Sequence, residues 1–359
     1  MLDGLVFLCT VQVTALTVRK SNHMAFLSAA VIACVLISGP AFPADDSAES
    51  SILAPLAEQS LLLDIARAGD RIVAVGDRGH VLISVDDGAS WKQVQVPTRA
   101  MLTAVSFFDK NFGFAVGHDG VILRTDDGGQ NWQRVHYAPD EERPLFDLLI
   151  VGRKHIVAVG AYGYYLESND GGQNWSPRDL RPISKDRDEA AINKSEAEDP
   201  PDDFHLNAIV AAGPQRWYMA GEAGALYRSN DSGQTWLRLP SPYEGSFSGL
   251  LSLTTDTLVV YGLQGRVYRS EDGGSDWQRV DTGTRAILTN GQRLTDGRLV
   301  LVGLSGAILV GNNLATRFTL HQQKDRRGVA SVLSTNDGLL LVGEGGVRHV
   351  PLAALKGGK

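Results

Sequence analysis

Five arginines stand where a carboxylate-binding surface would need them. Arg99 and Arg285 each lie 8 residues after a tryptophan, Trp91 and Trp277, and Arg326 lies 8 residues after Phe318. Arg143 follows Trp132 by 11 residues, and Arg327 doubles Arg326. Each precedes an apolar run (100–107, 144–150, 286–289, 328–333), so the spacing would bring guanidinium groups from separate segments to one surface. A guanidinium offers planar, paired donors and stays ionised, which suits the carboxylates of a protein segment. The alternative is solvated loop arginines, or ion pairs with Asp140, Glu141 and Asp325.

Two other sets invite chemistry. Tyr162, Tyr164 and Glu222 could form the activated tyrosine of a sialidase-type glycoside hydrolase, with arginines holding a substrate carboxylate. No Phe/Tyr-Arg-Ile-Pro segment precedes the first repeat, however, and the nearest phrases, Glu142-Arg-Pro-Leu145 and Leu180-Arg-Pro-Ile183, differ in place and order. His80, His118, Asp119 and Glu222 are metal-ligand types without any local ligand spacing, so no metal or cofactor is expected. Asp126-Asp127-Gly128 looks like the start of a calcium loop, but its twelfth position is Tyr137 where a bidentate Glu is required.

The elements that must position these residues are written in a repeat. Ser/Thr-x-Asp-x-Gly-x-x-Trp occurs five times, at Ser84 to Trp91, Thr125 to Trp132, Ser168 to Trp175, Ser229 to Trp236 and Ser270 to Trp277, with tryptophans 41, 43, 61 and 41 residues apart. Asp86, Asp127, Asp170, Asp231 and Asp272 are expected to accept backbone N–H groups in an Asx-type turn, the following glycine to take positive φ, and the indole to pack between sheets. A sixth, decayed copy runs from Gly311 through Asn313 and Ala315 to Phe318. Between copies lie apolar strands joined by Gly-x-x-Gly turns starting at Gly76, Gly117, Gly160, Gly221, Gly262, Gly303 and Gly343, which makes seven units. A period near 40 with strand-like runs signals a radial array of small sheets. In such a blade the tryptophan turns fall on one face, and the Gly-x-x-Gly turns and the arginines on the other.

At these boxes the chain resembles the Asp-box, or bacterial neuraminidase repeat, β-propellers, and by its length, seven units and leader the photosystem II stability and assembly factor family. The resemblance covers roughly residues 50 to 352. It implies an all-β, seven-bladed propeller, a non-catalytic role in assembling a membrane-associated complex, and an arginine patch that binds a protein partner. The seventh unit lacks its outer strand, and 51–56 is expected to supply it, closing the ring with an N-terminal strand.

Residues 1–44 read as a leader: Arg19, Lys20 and His23 precede an apolar run from Met24 to Ser38, then Ala41 and Ala44 before acidic residues. Export to a periplasm or lumen is expected, with Met24 an alternative start and Cys34 a candidate for lipid attachment. The run is short for a membrane span. Both cysteines, Cys9 and Cys34, fall in the leader, leaving the propeller (45–352) and the short tail (353–359) without a disulfide or cysteine–metal site. The formal charge of -7 moves to -8 without Asp3, Arg19 and Lys20, which argues against a nucleic-acid binder. A monomer is expected. The 61-residue spacing marks an insertion at 181–203 with eight acids, four bases, three prolines and no aromatic residue, too polar to order itself.

Overall fold

The apolar runs become strands in the computed structural model, which describes residues 49–180, 182–183 and 204–355. Seven antiparallel sheets follow one another along the chain. Their inner strands are Leu62–Ala68, Leu102–Phe107, Leu145–Ile150, Leu206–Ala211, Phe247–Ser252, Leu288–Arg293 and Val329–Ser334, one each for blades 1 to 7. Every inner strand neighbours the next, and Leu62–Ala68 neighbours Val329–Ser334, so the ring closes around a central channel. The leader, its cysteines and most of the acidic insertion lie outside the described residues.

The second strand of each blade shows why. Apart from Arg71 at one end, Arg71–Gly76, Gly113–Gly117 and Ile156–Gly160 are apolar, not alternating, and almost wholly buried, because each sheet has a neighbour on both faces. Seven separate apolar clusters result, each filling the gap between adjacent blades; Val73, Val75 and Ile83 of blade 1, for example, meet Leu102, Val105 and Trp132 of blade 2. No single core exists.

Each box is a small hydrogen-bonded corner between third and fourth strands. In the first, the Ser84 hydroxyl donates to Asp86 Oδ1 (2.8 Å) and accepts the Gly88 N–H (2.8 Å), while Asp86 Oδ1 accepts the Ser90 N–H at 2.9 Å. The same set recurs from Thr125 to Asn131. The hydroxyl is thus as structural as the carboxylate. The indole N–H of Trp132 donates to Gly129 O at 2.8 Å, and its ring packs onto the preceding blade. In the sixth blade the corner is shifted by one residue: Asn312, not Asn313, accepts the N–H four residues on, from Thr316 at 2.9 Å.

The Gly-x-x-Gly turns use their two glycines differently. The second, such as Gly79, has φ 68 and follows a residue that is itself left-handed, Arg78 at φ 53. The first is extended; its need is space. A Cβ on Gly117 would fall on the Met101 carbonyl oxygen, and the next residue, His118, donates its N–H to that oxygen at 2.9 Å. The equivalent bond, from Asp77 to Leu61 through Glu344 to Gly328, recurs in all seven blades.

One expectation is corrected. Blade 7 keeps three strands, and 51–56 forms no strand upon it. Polar anchors hold that segment on blade 1 instead: Ser51 donates its N–H to Val96 O at 2.8 Å and accepts the Val96 N–H at Oγ, and the Gln93 amide clasps Ile52 O and Ala54 N. The open edge of blade 7 (Arg348–Pro351) ends in a proline, and the turn after it buries Leu355. Closure comes from packing of Ala57, Ile72 and Leu82 against Leu340 and Val342, and from Ser331 Oγ donating to Asp64 at 2.8 Å. Blade 4, in turn, gains a fifth strand, as Pro182–Ile183 pairs in parallel with its outer strand, Trp236–Arg238.

Candidate protein-binding face

The connections leading into the inner strands share one face with the Gly-x-x-Gly turns, opposite the boxes. Four of them carry the arginines: Arg99 enters blade 2, Arg143 blade 3, Arg285 blade 6, and Arg326 and Arg327 blade 7. The connection into blade 5, residues 239–246, has none. Among the described residues these arginines therefore occupy one arc of the face, from blade 6 to blade 3.

Their environments differ. Arg99 is already neutralised, its Nη1 lying 2.8 Å from Glu49 and its Nε donating to Ser50 O at 3.0 Å. Arg143 is exposed and lies 5.4 Å from the Tyr164 ring centroid. Arg285 is exposed beside Gly265. Arg326 is held left-handed at φ 53, and the Arg327 guanidinium lies against Gly345 of the blade 7 turn. Asp325 pairs with Arg348 at 3.2 Å, not with either neighbour. Among the described residues, Arg143, Arg285, Arg326 and Arg327 make no ion pair.

Of the residues of the hydrolase alternative, Tyr162 and Glu222 meet at His205, while Tyr164 lies in the interior. Tyr164 is 2 % exposed in the cluster between blades 2 and 3, and burial raises its pKa further. Tyr162 points outward against the His205 ring, and Glu222 accepts the His205 N–H at 3.4 Å. His80 is buried with its Nδ1 2.8 Å from Ser60 Oγ, and desolvation lowers its pKa. No group of three or more His, Cys, Asp or Glu residues suited to a metal occurs among the described residues.

Below the arginine-bearing face, the channel contains residues that sequence spacing did not single out. A β-bulge opens each of the seven inner strands near its start. The residue after it reads, blade by blade, Asp64, Ala104, Asp147, Ala208, Gly249, Asn290 and Ser331. Asp64 Oδ2 accepts the Val105 N–H of blade 2 at 2.8 Å, and Asp147 Oδ2 accepts the Ile209 N–H of blade 4 at 2.9 Å. One residue earlier, Thr103, Asn207 and Thr289 donate to carbonyls of the next blade, Leu145, Phe247 and Val329. The channel wall is thus stitched from blade to blade. Burial raises the pKa of Asp64 to about 6 and of Asp147 to about 7, against the lowering effect of their N–H donors. Both side chains keep partial access to the channel. An alignment of the seven inner strands would have revealed this column of small and polar residues.

An all-β ring of seven sheets, with tryptophan-anchored Asp-box corners on one face and inner-strand connections bearing arginines on the other, is a seven-bladed Asp-box β-propeller. A family model described as photosynthesis system II assembly factor YCF48 matches residues 41–125, 83–146 and 139–348. The chain belongs to that family. Its relatives include the photosystem II assembly lipoprotein Ycf48 of Nostoc sp., 40% identical over 147 residues, which are 41% of this chain and 38% of the relative. Another is the chloroplastic photosystem II stability/assembly factor HCF136 of Cyanidioschyzon merolae, 35% identical over 85 residues, 23% of this chain and 18% of that protein. The chain spans less than half the length of these curated relatives. Among solved structures, YCF48 bound to D1 peptide superposes with a TM-score of 0.62 at 17% identity, covering 83% of this chain and 94% of that one. YCF48 from Cyanidioschyzon merolae gives 0.61 at 15%, covering 83% and 97%. At these identities the likeness is one of fold.

Proposed function

We propose that this propeller is a non-catalytic, exported assembly factor that docks a protein segment of a photosystem II-type membrane complex on its arginine-bearing face. The observation that carries the reading is the set of Arg143, Arg285, Arg326 and Arg327, cationic groups on one face without ion-pair partners among the described residues. Unpaired guanidinium groups on a rigid scaffold need little reorganisation to receive carboxylates. Arg99 belongs to the same face and joins the site when its contact with Glu49 gives way. Family membership points to the same role, since relatives are named photosystem II assembly factors and one solved YCF48 holds a D1 peptide. The lipoprotein names of several relatives accord with a leader that ends in export and with lipid on Cys34.

The test is capture of a D1 peptide by the purified protein. Arg285→Glu with Arg327→Glu is expected to weaken it at least about ten-fold while leaving thermal unfolding unchanged. Capture retained by this variant would reject the face.

A further inference from the structure

The geometry points to the channel well as a binding site for a primary ammonium group on a short alkyl stem. The well has a volume of about 210 Å³, several times the share of one water molecule. Asp64 and Asp147 line it, and no Lys, Arg or His does. Two carboxylates therefore face one cavity with no protein counter-ion.

A second, independent feature aims at the same space. Tyr261 is 3 % exposed and lines the well, yet its hydroxyl has no hydrogen-bond partner among the described residues. It lies on the second strand of blade 5, directly across from Gly249. Gly249 holds the position that Asp64 and Asp147 hold in their blades, and a Cβ there would collide with the tyrosine hydroxyl. A Cβ on Gly291, next door, would also press within 3.3 Å of the tyrosine ring edge. Blade 5 has thus exchanged a channel side chain for a phenol reaching in from the next strand.

Ligand chemistry follows from the lining. An ammonium group has three donors and no acceptor. The carboxylates and the Tyr261, Ser248 and Asn290 oxygens supply acceptors, while Phe146 and Leu250 offer apolar wall to methylenes. The well does not gather three or more His, Cys, Asp or Glu residues suited to a metal among the described residues. The well opens below the arginine-bearing face, so the ammonium has two sources: a free amine, or a lysine side chain presented by a docked segment. Only the second rests on the docking role proposed above.

Titration of the full chain with n-butylammonium chloride, followed through the Val105 and Ile209 backbone amides by NMR, reads the site directly, since both N–H groups bond the carboxylates. A saturable shift at millimolar amine is expected, about ten-fold weaker in Tyr261→Phe and absent in Asp147→Asn. No saturable shift, an equal shift in both variants, or the same shift with CaCl2 would overturn the proposal. For the source, an acidic peptide carrying one lysine is compared with its norleucine counterpart. Tighter binding of the lysine peptide, lost in Arg285→Glu/Arg327→Glu while butylammonium still binds, assigns the ammonium to a docked segment; equal binding of both peptides assigns it to a free amine.

Discussion

Neutralising one channel carboxylate should change how stability depends on pH. Asp147 is expected near the ordinary carboxylate pKa of 3.8 when unfolded and at about 7 in the folded ring, where burial disfavours its charge. The folded state therefore binds more protons than the unfolded state across this window. Stability must fall as pH rises from about 4 to about 7 and level off above. Roughly three units at about 1.4 kcal/mol each set an upper limit of about 4 kcal/mol; water in the channel screens the charge, so about 2 kcal/mol is the working figure. Asp147→Asn removes the titration but turns an amide NH2 toward one of the Leu148 and Ile209 N–H donors, which loses its acceptor, a fixed cost at every pH. The informative quantity is the change in the wild-type-minus-variant difference between about pH 4 and about pH 8, expected near 2 kcal/mol by urea unfolding, with the variant gaining at the higher pH. A difference that stays constant, or moves the other way, would refute the placement of an uncompensated carboxylate in the channel.

Two further outcomes follow from the blade grammar. Trp132→Ala removes an indole that is 7 % exposed between blades 1 and 2, and should lower unfolding stability by about 3–5 kcal/mol in equilibrium denaturation. Gly117→Ala places a methyl on the Met101 carbonyl and disturbs the His118 bond; a loss of about 1–3 kcal/mol is expected, whereas Gly152→Ala, which meets nothing within 4 Å, should leave the unfolding midpoint nearly unchanged.

The architecture was legible because its corners are chemically demanding. A hydroxyl, a carboxylate, a glycine and an indole must sit at fixed offsets for the box to close, so five copies announce the blades, and the paired glycines count all seven. The decayed copy misled by one residue, since Asn312 does the work that spacing assigned to Asn313. The N-terminal strand was inferred from the rule that an open edge needs a partner; Pro351 and the Leu352–Leu355 turn satisfy that edge by other means. Three of the five arginine positions could be read from a constant offset of 8 residues after the box aromatic, but their pairing could not. Glu49, 50 residues before Arg99, neutralises it through a contact no periodicity announces. Asp64 and Asp147 escaped notice because each is the one acid in a mainly apolar run, and only registering the seven strands against one another shows that they share a level of the channel.

How the ring closes bears on how it is made. The bond between Ser331 and Asp64 joins groups 267 residues apart, and the apolar side of blade 1 formed by Ile72 and Leu82 finds its cover in Leu340 and Val342. During synthesis from the N-terminus that side of blade 1 emerges early and stays wet until the last blade arrives, with no exchanged strand to hold the two ends in register beforehand. Contacts of such high sequence separation form late and slowly, and the waiting surface is the one most open to association with other chains. The nascent chain is therefore most vulnerable in the interval between its first sheet and its last.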